Sequence, residues 1–485
     1  MNATENLKKK PSLSFALATL IVLILYIIVA LTVFKLPVIT TLFFSWLVLV
    51  PFALKLGFSA KEVENTIYDM VKMGIALFAL LLAIGSLVSV WLCAGTVPTL
   101  IVWGLNLITP KIFLLVAFLV CTFVSLPTGT SWGTISTAGV AMMGVGLGLG
   151  VPPGMVAGAV VSGAYIGDKI SPVSDTPLLT STVCEVPIMR HIKHMLYTTV
   201  PAAVLAGVLF VVLGYTYAGD TLDGESIASL TTALSEVFSI GWVTQIPLFV
   251  VLGLLIFRQS ALSSIMIGCL SGVLVAIFYQ GYGLTEVGKF LAYGFKVQTG
   301  NALLDPILNR GGMSSMLELI GVVVASLGMG GILKGTGILN TLVEALSRVI
   351  HGNKGLTLAT AAECSLCVTL VANNYFSMVM VGTLMTPLYK KLGYRPENAS
   401  RIINDFSCCG SMFIPFNIGA IFVSSTLGVP ILAVLPFAFF HIILMALDVI
   451  VGVLGVSTPR YTPAEMAELE REEAARAKLE AEAKA

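Results

Sequence analysis

Apolar residues fill this chain in stretches near the roughly 20 residues a bilayer span needs, and polar residues break them at a few recurring places. Residues 13–34 form the first such run, and residues 37–57 and 73–94 form two more. Between the last two, residues 60–72 alternate charged and apolar positions, as expected of an amphipathic helix lying along a membrane surface. Residues 97–110, set between Pro98 and Pro110, are too short to span. Two arms follow, 111–126 and 135–150, joined by a polar tip at 127–134, and form either a re-entrant hairpin or two full spans. Residues 154–187 are apolar at both ends and broken in the middle. The second half runs through the same series: a helix over 312–333, arms over 355–371 and 377–389, a broken segment over 397–428 and a last span over 430–455.

The interruptions match one another. The first set reads Pro127-Thr-Gly-Thr-Ser-Trp-Gly-Thr134 and Gly167-Asp-Lys-Ile-Ser-Pro-Val-Ser-Asp-Thr176; the second reads Ala372-Asn-Asn-Tyr-Phe-Ser377 and Gly410-Ser-Met-Phe-Ile-Pro-Phe-Asn417. An offset of 243 residues carries Lys111, Cys121, Gly139, Met142, Pro153, Gly167 and Pro172 onto Lys354, Cys364, Gly382, Met385, Pro396, Gly410 and Pro415. Paired broken helices in two repeats are the best sequence pointer to a transporter's binding site.

Composition sets the compartment. Of the 485 residues, 57% are hydrophobic and 11% charged, against about 25% charged in soluble domains. Between Met73 and Gly167 the only charged side chain is Lys111. The net charge of +1 and the lack of a basic stripe argue against a nucleic-acid partner. Lys and Arg are enriched in cytoplasmic loops. By that rule Lys8, Lys9 and Lys10 put the N-terminus inside, as does the cluster Arg190-His-Ile-Lys-His194 for the end of the first broken segment. The acidic stretch with Asp220, Asp223, Glu225 and Glu236 belongs outside. In the second half Lys390, Lys391 and Arg395 end the arms, where the first half has an uncharged turn, so the two halves are expected to be oppositely oriented.

The predicted fold is therefore an all-α polytopic membrane protein of two inverted-topology repeats, each with a hairpin and a broken transmembrane helix. Its expected divisions are an N-terminal helix pair (1–58), repeat 1 (59–218), an external loop with a linking helical hairpin (219–283), inverted repeat 2 (284–456) and a charged cytoplasmic tail (457–485).

A backbone left unpaired in hydrocarbon costs several kcal/mol per group, roughly, so helices break there only around a cavity or a ligand. Pro172 and Pro415 remove a donor and disfavour helical geometry at the preceding residue, and Gly167 and Gly410 permit a sharp departure. Oxygen ligands suit a small hard cation such as Na⁺. The first break offers Asp168, Ser171, Ser174, Asp175 and Thr176, with Thr130 and Ser131 at the neighbouring tip. The second offers Asp405 and Asn417, with Asn373 and Asn374 at its tip. Asp168 and Asp175 are the expected Na⁺ ligands. A carboxylate inside a bilayer marks an ion or proton route by default, and one that takes either a proton or Na⁺ is an exchanger. Glu363 is a candidate proton carrier or partner of Lys334 or Lys169, and Glu318 is a weaker one. His191 and His194 are candidate cytoplasmic pH sensors, with a positive-inside anchor as their plainer role. His441 and Asp448 read as packing or partner contacts. The eight cysteines read as small apolar packing residues, and nothing resembles a zinc or iron set. No cofactor is expected beyond the transported Na⁺ and H⁺. An intramembrane hydrolase using Ser131 with His441 or His351 is set aside, so no enzyme is expected.

Thr128-Gly-Thr-Ser-Trp-Gly-Thr134, Gly163-Ala-Tyr-Ile-Gly-Asp-Lys-Ile-Ser-Pro-Val-Ser-Asp-Thr176 and His191-Ile-Lys-His-Met195 together resemble the NhaC family of bacterial Na⁺/H⁺ antiporters, which includes a sodium-lactate/malate-proton antiporter. Glu397-Asn-Ala-Ser-Arg401 and Pro415-Phe-Asn417 extend the likeness, which covers most of residues 10–456. It implies a multi-pass secondary transporter of the bacterial cytoplasmic membrane, in the ion-transporter superfamily, with both termini cytoplasmic. The expected function is exchange of Na⁺ or Li⁺ for H⁺ by alternating access. The alternative is a coupled exchanger or symporter of an organic anion or amino acid. Lipid is the expected surrounding, and a homodimer is a candidate assembly. Pro177-Leu178 and Cys408-Cys409 depart from the family pattern.

Overall fold

A computed structural model describes residues 9–107, 109–172, 174–217, 224–257, 259–299, 305–309, 311–347, 350 and 352–466. Regular elements among them are all helical, with one isolated bridge between Tyr394 and Arg460. Among the described residues, eight helices are long and apolar enough to cross a membrane, or up to eleven if each of three sharply bent pairs counts as one span. This is a multi-pass membrane protein. Lys8, Asp220, Asp223, His351 and the tail beyond residue 466, all used in reading the sequence, lie outside the described residues.

Helix α1 (Leu13–Ile28) starts behind Ser12, whose side chain accepts from the Phe15 amide, and loosens into a π turn at Val29–Val33. It packs against α2 (Val38–Lys55). Helix α3 (Ala60–Lys72) opens with a capping box between Ser59 and Glu62. Its apolar stripe of Val63, Ile67 and Met70 is buried by protein. The amphipathic pattern of 60–72 thus reflects packing on a neighbouring helix, where the sequence suggested a membrane surface. Helices α4 (Ile75–Cys93) and α5 (Thr96–Leu107) follow. The first hairpin is α6 (Pro110–Thr128) and α7 (Ser131–Thr134), the latter continuing through a π turn at Ile135–Gly139 into α8 (Val140–Gly148). The broken helix is α9 (Pro153–Ile170) plus α10 (Asp175–Val183), and α11 (Ile188–Tyr217) completes the series.

Gly167 has a role other than the expected one. Helix α9 runs on through it to Ile170, and a Cβ there would meet the backbone at Ser125 and Leu126 within 2.3 Å. Glycine lets α9 lie directly on α6, and Ser125 Oγ donates to the Ala164 carbonyl across the same contact (2.5 Å).

The link is more helical than an external loop. Helix α12 (Gly224–Val237) occupies much of the acidic stretch, and the chain turns through 85° into α13 (Ile246–Ile256). Helices α14 (Ala261–Phe278), α15 (Leu284–Tyr293) and α16 (Asp305–Leu308) lead to the second series. There, α17 (Leu317–Gly335) packs on both α2 and α3 and is followed by α18 (Ile338–Ser347). The second hairpin is α19 (Gly352–Val371) and α20 (Asn374–Lys391). Its broken helix is α21 (Glu397–Asn404), carried on by a π turn and a 3₁₀ turn to Phe413, then α22 (Ile418–Leu427) at 53°. Helices α23 (Ile431–Val434) and α24 (Phe439–Leu454) end the series.

The offset of 243 read from the sequence carries the starts of α6, α7, α9, α10 and α11 onto those of α19, α20, α21, α22 and α23 to within one residue. Contacts between the series are reciprocal. Helix α10 packs on α20, and α22 on the equivalent π turn after α7; α11 packs on α21, and α24 on α9. Equivalent elements of the two series thus exchange contacts with one another.

The first part of the tail is docked. The Arg395 amide donates to the Pro459 carbonyl and the Tyr461 amide to the Gly393 carbonyl (both 3.0 Å). Arg395 also pairs with Glu465 (2.7 Å), and Arg460 covers the Tyr394 ring.

Candidate ion and substrate cavity

Both broken helices are built by the same local rules. The residue before each proline, Ser171 and Ile414, is extended (ψ 127° and 106°), as the following ring requires. The restarting helices are capped by Ser174, which accepts from the Thr176 amide, and by Asn417, which accepts from the Gly419 amide. The hairpin tips are built alike. Gly129 and Ala372 both take left-handed backbone (φ 63° and 54°). The next residues, Thr130 and Asn373, cap α7 and α20 by accepting from the Gly133 and Phe376 amides. All four pairs obey the 243-residue offset.

The tips and breaks enclose a cavity of about 250 Å³. Asp168 is its most deeply set acid: its two oxygens accept from Ser131 Oγ and Ser174 Oγ, each at 2.6 Å. It thereby ties the first hairpin tip to both sides of the first break. Asp175, in the first turn of α10, faces the open part of the cavity and accepts from the Tyr375 hydroxyl (2.6 Å) at the second tip. Thr130, Ser131, Thr176, Asn373 and Asn374 also line the cavity. Seven of the eleven expected ligands are therefore in its wall.

The other four are not. Ser174 supports Asp168 from behind, and Asn417 turns inward, donating to the Val368 carbonyl (2.9 Å). Ser171 Oγ is buried without a hydrogen-bond partner among the described residues. Asp405 is buried in an ion pair with Lys169 and also accepts from Thr198 (3.4 Å). That pair removes Lys169 as a partner for Glu363. Both Glu363 oxygens are buried with no partner among the described residues, away from the cavity wall. Lys334 instead lies over the Phe376 ring, and Glu318 is exposed. His191 and His194 are buried between the copies: His191 Nδ1 sits 2.9 Å from Ser400 Oγ, and His194 Nε2 accepts from Arg401 (3.2 Å). Arg401 also donates to Asp448 (2.6 Å), fixing α21 to α24. His441 packs edge-on against Tyr165.

Several wall residues escaped the sequence reading. Tyr375 and Tyr165 sit inside quoted motifs as neighbours of the polar residues, and Trp132 lies between two members of the first tip. Outside the wall, Arg401 was missed too; it carried a signal as the one basic residue in 396–430. The spacing Gly129-x-Ser131-x-Gly133 is that of a nucleophile elbow, but it joins helix to helix where an elbow joins strand to helix. The Ser131 hydroxyl donates to Asp168, and no histidine among the described residues is hydrogen-bonded to it.

A family profile described as "Na+/H+ antiporter family" matches residues 3–184 and 163–456. The chain belongs to that family. As a member of the Na⁺/H⁺ antiporter family it is a transporter, as the resemblance to NhaC proteins implied. It is 34% identical to the malate-2H⁺/Na⁺-lactate antiporter of Bacillus subtilis, over 89% of this chain and 92% of that one. It is also 34% identical to the Na⁺/H⁺ antiporter NhaC of Alkalihalophilus pseudofirmus, over 93% and 97%. With the arginine/ornithine antiporter ArcD of Halobacterium salinarum it shares 32% identity, over 85% and 86%.

Proposed function

We propose that this protein exchanges Na⁺, or Li⁺, for H⁺ across the cytoplasmic membrane by alternating access, with Asp168 as the carboxyl the two cations share. Family membership and the NhaC relatives support the exchange. The observation that carries the site is the position of Asp168, buried at a helix break, bridged by Ser131 and Ser174, and open to a cavity. Ionised, it supplies a hard oxygen ligand; protonated, it needs no cation. Burial makes the ionised state costly unless a cation accompanies it, so the carboxyl holds one or the other. Asp175 lies on the path from the open part of the cavity, and the tip residues Thr130, Ser131, Asn373 and Asn374 complete an oxygen-rich wall.

The common offset of the two series, their exchanged contacts and the opposite charge bias of their loops support inverted repeats with both termini cytoplasmic. Each tip would then approach the membrane's middle from its own side, the arrangement alternating access requires.

In proteoliposomes with an imposed pH gradient, Asp168→Asn is expected to lower Na⁺-driven proton movement at least a hundredfold while the purified protein keeps its elution profile. Exchange at the wild-type rate in a well-inserted Asp168→Asn protein rules the assignment out. A second reading, with an organic cargo, is favoured by the cavity's size.

A further inference from the structure

We propose that the cavity takes a small organic ammonium ion, a primary amine on an apolar or aromatic body, in competition with Na⁺. The inference rests on the reading of this cavity as the transport site.

The first argument is room. A volume of about 250 Å³ is more than tenfold the roughly 10–15 Å³ that holds one water. A sodium ion coordinated by Asp168 and neighbouring hydroxyls fills only a small part of that volume.

The second argument is charge. The wall holds two carboxylates, Asp168 and Asp175, and no Lys, Arg or His among the described residues that line it. The nearest cation in sequence, Lys169, is consumed by Asp405. An organic anion such as a dicarboxylate would meet two like charges and no counter-charge. Three helix starts, at Ser131, Asp175 and Asn374, do face the cavity, and helix starts attract anions. Here each is already capped by its own side chain, and α10 carries Asp175 in its first turn, so their partial charge is largely answered.

The third argument is the chemistry of the lining. Beside the two acids the wall includes apolar side chains, Leu77, Leu80 and Ala261 among them. Three aromatic residues, Trp132, Tyr165 and Tyr375, line it as well, and the Tyr375 hydroxyl donates to Asp175. Trp132 is stiffened by stacking on Phe422, with ring centroids 4.5 Å apart. Carboxylates and aromatic rings in one wall are the chemistry that recognises an ammonium group, through charge and cation–π attraction together. The apolar side chains of the same wall then receive the body.

The test uses full-length protein purified in detergent, with bound ²²Na⁺ read by scintillation proximity, so that amine leakage through a bilayer plays no part. Phenylethylamine is expected to displace ²²Na⁺ competitively, and malate and lactate are not. Phenylalanine, added as a further arm, separates sources of the same group: displacement means an amino acid is accepted, and its absence means a free amine is required. Failure of phenylethylamine and phenylalanine alike, with ²²Na⁺ still bound, overturns the inference and leaves the sodium reading standing. Displacement by malate overturns it too. If ²²Na⁺ does not bind, calorimetric titration with phenylethylamine decides: binding keeps the inference and removes the sodium reading, and no binding removes both. Leu80→Trp, which adds bulk at an apolar lining position, is expected to weaken phenylethylamine at least tenfold relative to Na⁺. An equal effect on both ligands would contradict an apolar wall that receives the body.

Discussion

Ala372 holds a left-handed backbone that its counterpart Gly129 adopts without strain. A side chain in that region costs about 1 kcal/mol or slightly more. Exchanging the residues between the copies should therefore have opposite effects. Gly129→Ala is expected to lower the stability of the detergent-solubilised protein by about 1 kcal/mol. Ala372→Gly should leave it unchanged or raise it by up to about that amount. Thermal unfolding followed by the protein's own tryptophan fluorescence would decide, and a lower melting temperature in both variants would speak against strain at Ala372. The same scale explains part of what the sequence concealed. Asp168 and Asp175 were legible because carboxylates are scarce in apolar chain. Tyr375 and Trp132 were not, because aromatic residues are ordinary in membrane helices and only their direction distinguishes a wall from a packing contact.

Between elements, the buried pair of Lys169 and Asp405 joins the first broken helix to the second. Removing one member strands the other as an uncompensated charge, at a cost of roughly 3–5 kcal/mol, whereas replacing both by apolar residues of similar volume is often neutral or better. Lys169→Met and Asp405→Leu are each expected to reduce folded yield sharply, and the double variant to recover most of it. Size-exclusion profiles of the three proteins would show this, and a double variant no better than either single would deny that the pair acts as a unit. The pairing itself could not be read in advance. Periodicity and loop charge identify which segments are helices and where they break, and these matched the observed elements closely. Which charge meets which depends on the rotation of helices far apart in the chain. Lys169 accordingly went to Asp405 and left Glu363 without it. The same limit hid the partner of 60–72, whose apolar stripe faces α17.

For the molecule as a whole, alternating access predicts that the cavity is reached from one membrane face at a time. Asn374 is partly exposed in its wall. In a background with the eight native cysteines replaced, Asn374→Cys should react with an impermeant thiol reagent from one side of sealed vesicles under a given pH gradient, and Na⁺ should slow the reaction severalfold. Equal labelling from both sides at once would indicate a continuous pore. The doubled architecture was visible in sequence because both copies kept their punctuation, proline and glycine at one offset. Their reciprocal docking was not, since it depends on how each helix is rotated toward the other copy, which the offset leaves open.

The close approach at Gly167 bears on how such a cycle can run. Where two helices meet backbone to backbone, with a carbonyl on one gripped by a hydroxyl on the other, neither can slide without prying the joint apart. Arm α6 and broken helix α9 must therefore travel as one piece, so any rocking between the faces has to take place at seams cushioned by side chains. A bulkier residue at 167 would wedge that joint open and disturb the cavity from behind, without touching anything a cargo touches.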